Sequence, residues 1–130
     1  MTDQTLAERA IACPHWDWIR GMRTLSGYRL IGYDNGGWQA GIDKSPESRP
    51  MDLDRMQDEF PDLADPCTLG GLLSLVRSAW GDGATTRRKV RRSGVSWWAI
   101  YYNQDEGRTY STREYASEAE ALVVALEAAP

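Results

Sequence analysis

Apolar positions recur along this chain at two periods, and the switches between them mark its elements. Leu69, Leu72, Leu73, Val76 and Trp80 follow a spacing of i, i+3, i+4, i+7 and i+11, which is one stripe of an α-helix. Asp65 suits the N-cap of that helix, and Pro66 suits its first turn, where a missing N–H costs nothing. Gly81-Asp82-Gly83 ends it. A second helix is predicted from Ser117, whose capping box is completed by Glu120. Its apolar face is Leu122, Ala125, Leu126 and Ala129. A shorter helix is predicted over 3–12, with Asp3 at the N-cap, Leu6, Ala10 and Cys13 on one face, and Pro14 as the stop.

Elsewhere the period falls to two or the chain runs apolar. Val95-Ser96-Trp97-Trp98-Ala99-Ile100-Tyr101-Tyr102 is an aromatic strand. Asp105-Glu106-Gly107 turns it into a partner over 108–111, with an extension toward Tyr115. Strands are also predicted over 22–25 and 28–33. Asp34-Asn35-Gly36-Gly37 is a hairpin turn of the type that needs positive φ, and 38–42 is its return strand. The stretch 43–50, rich in Lys, Ser, Pro and Glu, reads as a surface loop. Over 52–60, Leu53, Met56 and Phe60 sketch a weak helical face that Pro61 would end. Gly70 and Gly71 inside a helix indicate either a backbone packed close to its first turn or two tolerated glycines. The fold class expected is α+β: a small antiparallel sheet of about four to six strands covered by two or three amphipathic helices. Residues 1–130 are expected to form a single domain.

Composition changes this picture in one respect. Six Trp and six Tyr stand against one Phe, so large side chains either fill a small core or form an exposed aromatic patch. The net charge of −4 argues against nucleic-acid binding by the surface as a whole. Arg supplies thirteen of the fifteen basic residues, and the basic stretch 85–92 concentrates five of the cations. No Cys-x-x-Cys, signal peptide or membrane-length apolar run is evident, so free thiols and a cytoplasmic setting are expected, with a Cys13–Cys67 disulfide as the alternative.

Candidate chemistry is sparse. His15 is the one histidine. It lies too close in sequence to Cys13 for the usual Cys–His geometry, which joins distant segments. Cys13, His15, Asp17 and Cys67 could form a zinc site only if the fold gathered them. No phosphate-cradling loop is present. No catalytic residue, cofactor or metal is therefore expected. Two surfaces remain. The acidic residues Asp52, Asp54, Asp58, Glu59 and Asp62, in a run that reaches Asp65, could imitate a nucleic-acid backbone and occupy a partner's basic channel. Arg87, Arg88, Lys89, Arg91 and Arg92, just before Trp98 and Tyr102, could grip and stack a single strand.

Three segments carry a resemblance. They are the run from Leu63 to Gly81, the ending from Ser117 to Pro130, and the opening Leu6–Cys13 followed by Trp16, Trp18, Gly21 and Met22. Together they resemble the phage α-β-α sandwich group, small phage- and prophage-encoded proteins of unknown function. The resemblance covers about half the chain and leaves 24–61 and 85–92 without counterparts. It implies a phage origin, a helix-covered sheet and the host bacterial cytoplasm, and it transfers no catalytic residue. The leading expectation is an accessory protein that binds a host or phage protein, of anti-defence, anti-CRISPR or host-takeover type, with no membrane association. The alternative is a single-stranded nucleic-acid-binding module. Oligomeric state stays open, because an edge strand at 22–25 or 108–115 could pair across a dimer.

Overall fold

The structure is a computed structural model that describes residues 3–34, 37–42, 48–51 and 58–130. The helices among the described residues are α1 (Asp3–Ala12), α2 (Pro66–Trp80) and α3 (Glu118–Glu127). Its strands are β1 (Tyr28–Asp34), β2 (Gly37–Ile42), β3 (Ser48–Met51), β4 (Thr85–Arg91), β5 (Gly94–Asn103) and β6 (Arg108–Ser111). The fold is α+β, as expected. Its strands divide into two antiparallel sheets, β1-β2-β3 and β4-β5-β6.

Helix α3 forms because Ser117 accepts the Glu120 N–H at 3.2 Å, as the capping box predicts. Its apolar surface is wider than one stripe. Ala119, Ala121, Leu122, Val123, Ala125 and Leu126 are all buried, so the helix must be enclosed on nearly every side. It packs on α1, α2, β4 and β5. Trp80 at the end of α2 donates its indole N–H to the Ala125 carbonyl at 2.8 Å. The Cys13 thiol reaches the Leu126 carbonyl at 3.6 Å, and Arg9 of α1 pairs with Glu127. Both cysteines are free, Cys13 buried and Cys67 exposed.

The N-terminal sheet is tied to α2 through Asp65. This N-cap carboxylate accepts the Thr68 N–H at 2.9 Å and the Thr68 hydroxyl at 3.0 Å. It also takes a two-pronged ion pair from Arg29 of β1, at 2.8 and 3.1 Å. Arg29 donates in turn to the Gly21 carbonyl at 2.7 Å. Thr68, fully buried, accepts the Arg23 N–H at 2.9 Å, and Arg23 pairs with Asp62 at 2.6 Å. The Asp65 side chain is 11% exposed. The hydrogen bond from Arg29, with help from Thr68, holds its carboxyl down at about 2.

Three sequence expectations are corrected. Residues 22–25 make isolated bridges, Arg23 to Arg29 and Thr24 to Pro61, and not a strand. Gly21 (φ +94) and Gly27 (φ +97) break the extended backbone on either side of them. Part of the expected 43–50 loop is strand β3, which pairs Gln39 with Pro50 and Ala40 with Arg49. Proline is tolerated there because β3 is an edge strand. The buried stripe of α2 is Thr68, Gly71, Leu72, Leu75 and Val76, whereas Leu69, Leu73 and Trp80 are half-buried at its flanks. The Asn35-Gly36 turn lies outside the described residues, but Asp34 and Gly37 pair across it. One cluster of buried side chains draws on each of the described helices and on both sheets.

The two adjacent glycines of α2 differ. A methyl group at Gly70 would meet open space, whereas one at Gly71 would lie 2.6 Å from Cε of the fully buried Met22. The close neighbour is therefore a side chain, not a backbone. Gly70→Ala is expected to stabilise the fold by about 0.5–1 kcal/mol. Gly71→Ala is expected to destabilise it, because the fully buried Met22 would have to shift its Cε and Cγ to admit the methyl group; denaturant midpoints of the two variants check this. The second expectation concerns pH. Asp65 ionises at about 2 in the fold against 3.8 ordinarily, so its stabilisation is complete above the unfolded value and lost as pH falls toward 2. The loss is at most about 2 kcal/mol, reduced by solvent screening on its open side. Asp65→Asn keeps a capping side chain. Urea unfolding should show the wild-type advantage over this variant shrinking between about pH 5 and pH 2.

Candidate functional site

The C-terminal sheet has one face on the core and one face away from it. Side chains alternate along β5, and the register fixes their neighbours. Thr86, Arg88 and Val90 oppose Ala99, Trp97 and Val95. On this side Ala99 and Tyr101 are buried. Tyr101 stacks between Trp80 of α2 and Tyr110 of β6, with ring centroids at 4.4 and 6.0 Å, and burial raises its phenol pKa. Thr86 donates to Glu118 at the start of α3 at 2.7 Å. Trp97 packs against the core, and its backbone pairs with Tyr115 through two 2.7 Å hydrogen bonds. The expected extension of β6 is thus this single bridge.

Ser96, Trp98, Ile100 and Tyr102 point the other way. Arg87 lies directly across from Trp98, and Lys89 from Ser96. Ser111 and Thr109 lie across from Ile100 and Tyr102 on the opposite flank. Trp98 and Ile100 are half-buried and stand outside the core cluster, while Tyr102 is 48% exposed. Arg87, Lys89, Thr109 and Ser111 are exposed. No helix among the described residues packs on this face; the helical contacts above all fall on the other one. The result is an aromatic row along the central strand, with cations on one side and hydroxyls on the other.

The five cations named from sequence are all exposed but do different things. Arg87 and Lys89 border the aromatic row. Arg88 is on the opposite face, its guanidinium 5.9 Å from the centre of the Trp97 ring. Arg91 shares the row's face but is engaged by Glu114, at 2.6 and 3.1 Å, and by Ser96 at 3.1 Å. That hydrogen bonding holds the Glu114 carboxyl below its ordinary range, and Lys89 adds its charge to the same field. Arg92 sits in the hairpin turn, two residues before Gly94, whose φ of +133 few other residues adopt.

The acidic candidates form no comparable surface. Asp52 and Asp54 lie outside the described residues. Asp58 is exposed. Glu59 accepts the Ser26 hydroxyl at 2.8 Å, and Asp62 is held by Arg23. Two of these carboxylates, with Asp65 beside them, are therefore engaged in joining segments of the fold. Cys13, His15, Asp17 and Cys67 are not gathered: the Cys13 thiol faces α3, and no cluster of three or more His, Cys, Asp or Glu able to hold a metal occurs among the described residues. A cavity of about 140 Å³ lies at the far end of β5, lined by Ala79, Trp80, Asn103, Gln104, Asp105 and Pro130. It brings together two amides and one carboxylate without a nucleophile beside a base.

Sequence reasoning named Trp98, Tyr102, Arg87 and Lys89 but missed Ile100, Thr109 and Ser111. Alternation from Trp98, combined with the 105–107 turn, would have placed all three. No helix among the described residues is long and apolar enough to cross a membrane. No protein-family model, curated protein or solved structure matches the chain.

Proposed function

We propose that the protein binds single-stranded nucleic acid across the open face of its C-terminal sheet. The observation that carries this reading is the line of Trp98, Ile100 and Tyr102 on the face that no helix among the described residues covers, with Arg87 directly beside Trp98. Every base has a π-face, so a row of aromatic rings accepts bases of any sequence, and cations along its border follow the phosphates. The net charge of −4 does not oppose this, because binding answers to the local field and the cations are concentrated in β4 and its turn.

Spacing favours a single strand over a duplex. Side chains on one face of a strand are about 7 Å apart, roughly twice the 3.4 Å rise per nucleotide along each strand of duplex DNA. Bases can follow these steps only when unstacked from one another. The hydroxyls of Thr109 and Ser111 supply donors and acceptors on the side away from the cations. The role expected first from the sequence, capture of a host protein by an acidic run, has less support, because Glu59 and Asp62 are engaged within the fold.

Titration of a labelled single-stranded oligonucleotide tests the proposal. Trp98→Ala and Tyr102→Ala should each weaken binding by about 1–3 kcal/mol, the scale of one stacked base. Arg87→Ala with Lys89→Ala should lower the salt slope by about 0.7 for each phosphate that is no longer neutralised. These side chains lie outside the core, so thermal unfolding should change little. Absence of binding by the wild type, or equal binding by all variants, would refute the reading.

A further inference from the structure

The β4–β5 ribbon continues past the helices that cover the sheet. Arg88–Trp97 is its last pair in touch with the core, through Trp97. Beyond it come Val90–Val95 and Arg91–Gly94, and Arg92 and Ser93 close the turn. Val90 is 71% exposed and Val95 40% exposed, two apolar side chains set directly opposite each other. They share the face of Trp97 and Arg88 and point away from Trp98 and Tyr102. Neither belongs to the core cluster of the described residues or to the partly buried side chains packed on it. The tip is also braced: Arg91 is bound to Glu114, in the segment after β6, and to Ser96 of the neighbouring strand.

The tip therefore has two unlike faces. One continues the row proposed to carry a single strand. The other presents an apolar pair with Arg88 behind it and Arg92 at its end. A base is a flat, weakly polar surface beside an anionic phosphate, which matches an apolar patch bordered by cations. A second copy of this chain fits poorly, because the tips would bring like charges together.

We infer that the β4–β5 hairpin is a pin for forked nucleic acid, inserted where two strands of a duplex diverge. One strand lies along Trp98, Ile100 and Tyr102. The other passes behind the ribbon, its first unpaired base against Val90 and Val95 and its phosphates near Arg88 and Arg92. This rests on the single-strand reading above and adds to it a preference for the fork.

Two probes of DNA separate the two claims: a forked duplex with two unpaired arms, and one of those arms alone. The wild type should bind the fork about tenfold more tightly than the free arm at equal salt. Val90→Thr combined with Val95→Thr keeps β-branched side chains in the ribbon, and it should reduce that preference to about twofold or less while leaving affinity for the free arm unchanged. Equal wild-type affinity for the two probes, or a preference that survives in the double variant, overturns the pin and leaves the single-strand reading standing. Binding of neither probe overturns both.

Discussion

Helix α3 has almost no side that water can have. Six of its ten residues are buried, and nearly all of its circumference is apolar, so the remaining elements are arranged to enclose it. The C-terminal sheet closes one side, and α1 and α2 close the others. Burial of this helix is the dominant favourable term available to a chain of this size. It also has a directional consequence. Because the helices are gathered around α3, they lie on one face of β4-β5-β6, and the described residues leave the opposite face without a cover. An aromatic strand in that position must send half of its rings outward. Trp97 and Tyr101 go to the core, and Trp98 and Tyr102 do not. The proposed binding surface is thus a by-product of how the core is closed.

The second organising contact is the carboxylate of Asp65. It caps α2, takes both prongs of Arg29 and bonds Thr68, so one side chain joins the start of a helix to the first strand of the other sheet. Asp62 and Arg23 repeat the arrangement nearby. These contacts account for acidic residues that look, in the sequence alone, like an open charged face. The acidity of 52–65 is in part the means by which the N-terminal sheet is held to the core. The positive stretch 85–92 has a different fate: all five of its cations stay exposed, and Arg91 alone is bound into an ion pair among the described residues.

How much of this was legible in the sequence depends on how local each cause is. The caps at Asp65 and Ser117 depend on residues three positions apart, and both helices start where their caps predict. The β5–β6 hairpin depends on its own turn and was equally readable. Strand β3 was hidden because Pro50 and its polar neighbours look like a loop, and only pairing with β2 makes them a strand. Residues 22–25 failed in the opposite direction, since Gly21 and Gly27 cut short what their composition suggests. Alternation required that one of Trp97 and Trp98 turn inward. Which one does so is set by Trp80, stacked on Tyr101 from a helix that precedes β5 in the chain. The partner of Asp62, thirty-nine residues away at Arg23, left no trace in the sequence pattern.

The central claim is that the outward face of β5 is where a ligand sits, and backbone and indole NMR resonances report this residue by residue. On titration with a single-stranded oligonucleotide, the shifts should concentrate on Arg87, Lys89, Trp98, Ile100 and Tyr102, with the Trp98 indole moving and the Trp80 indole, bonded to Ala125, staying in place. Shifts centred instead on Asp58 to Asp62, or on the cavity beside Trp80, would contradict the account, as would a spectrum that does not change at all.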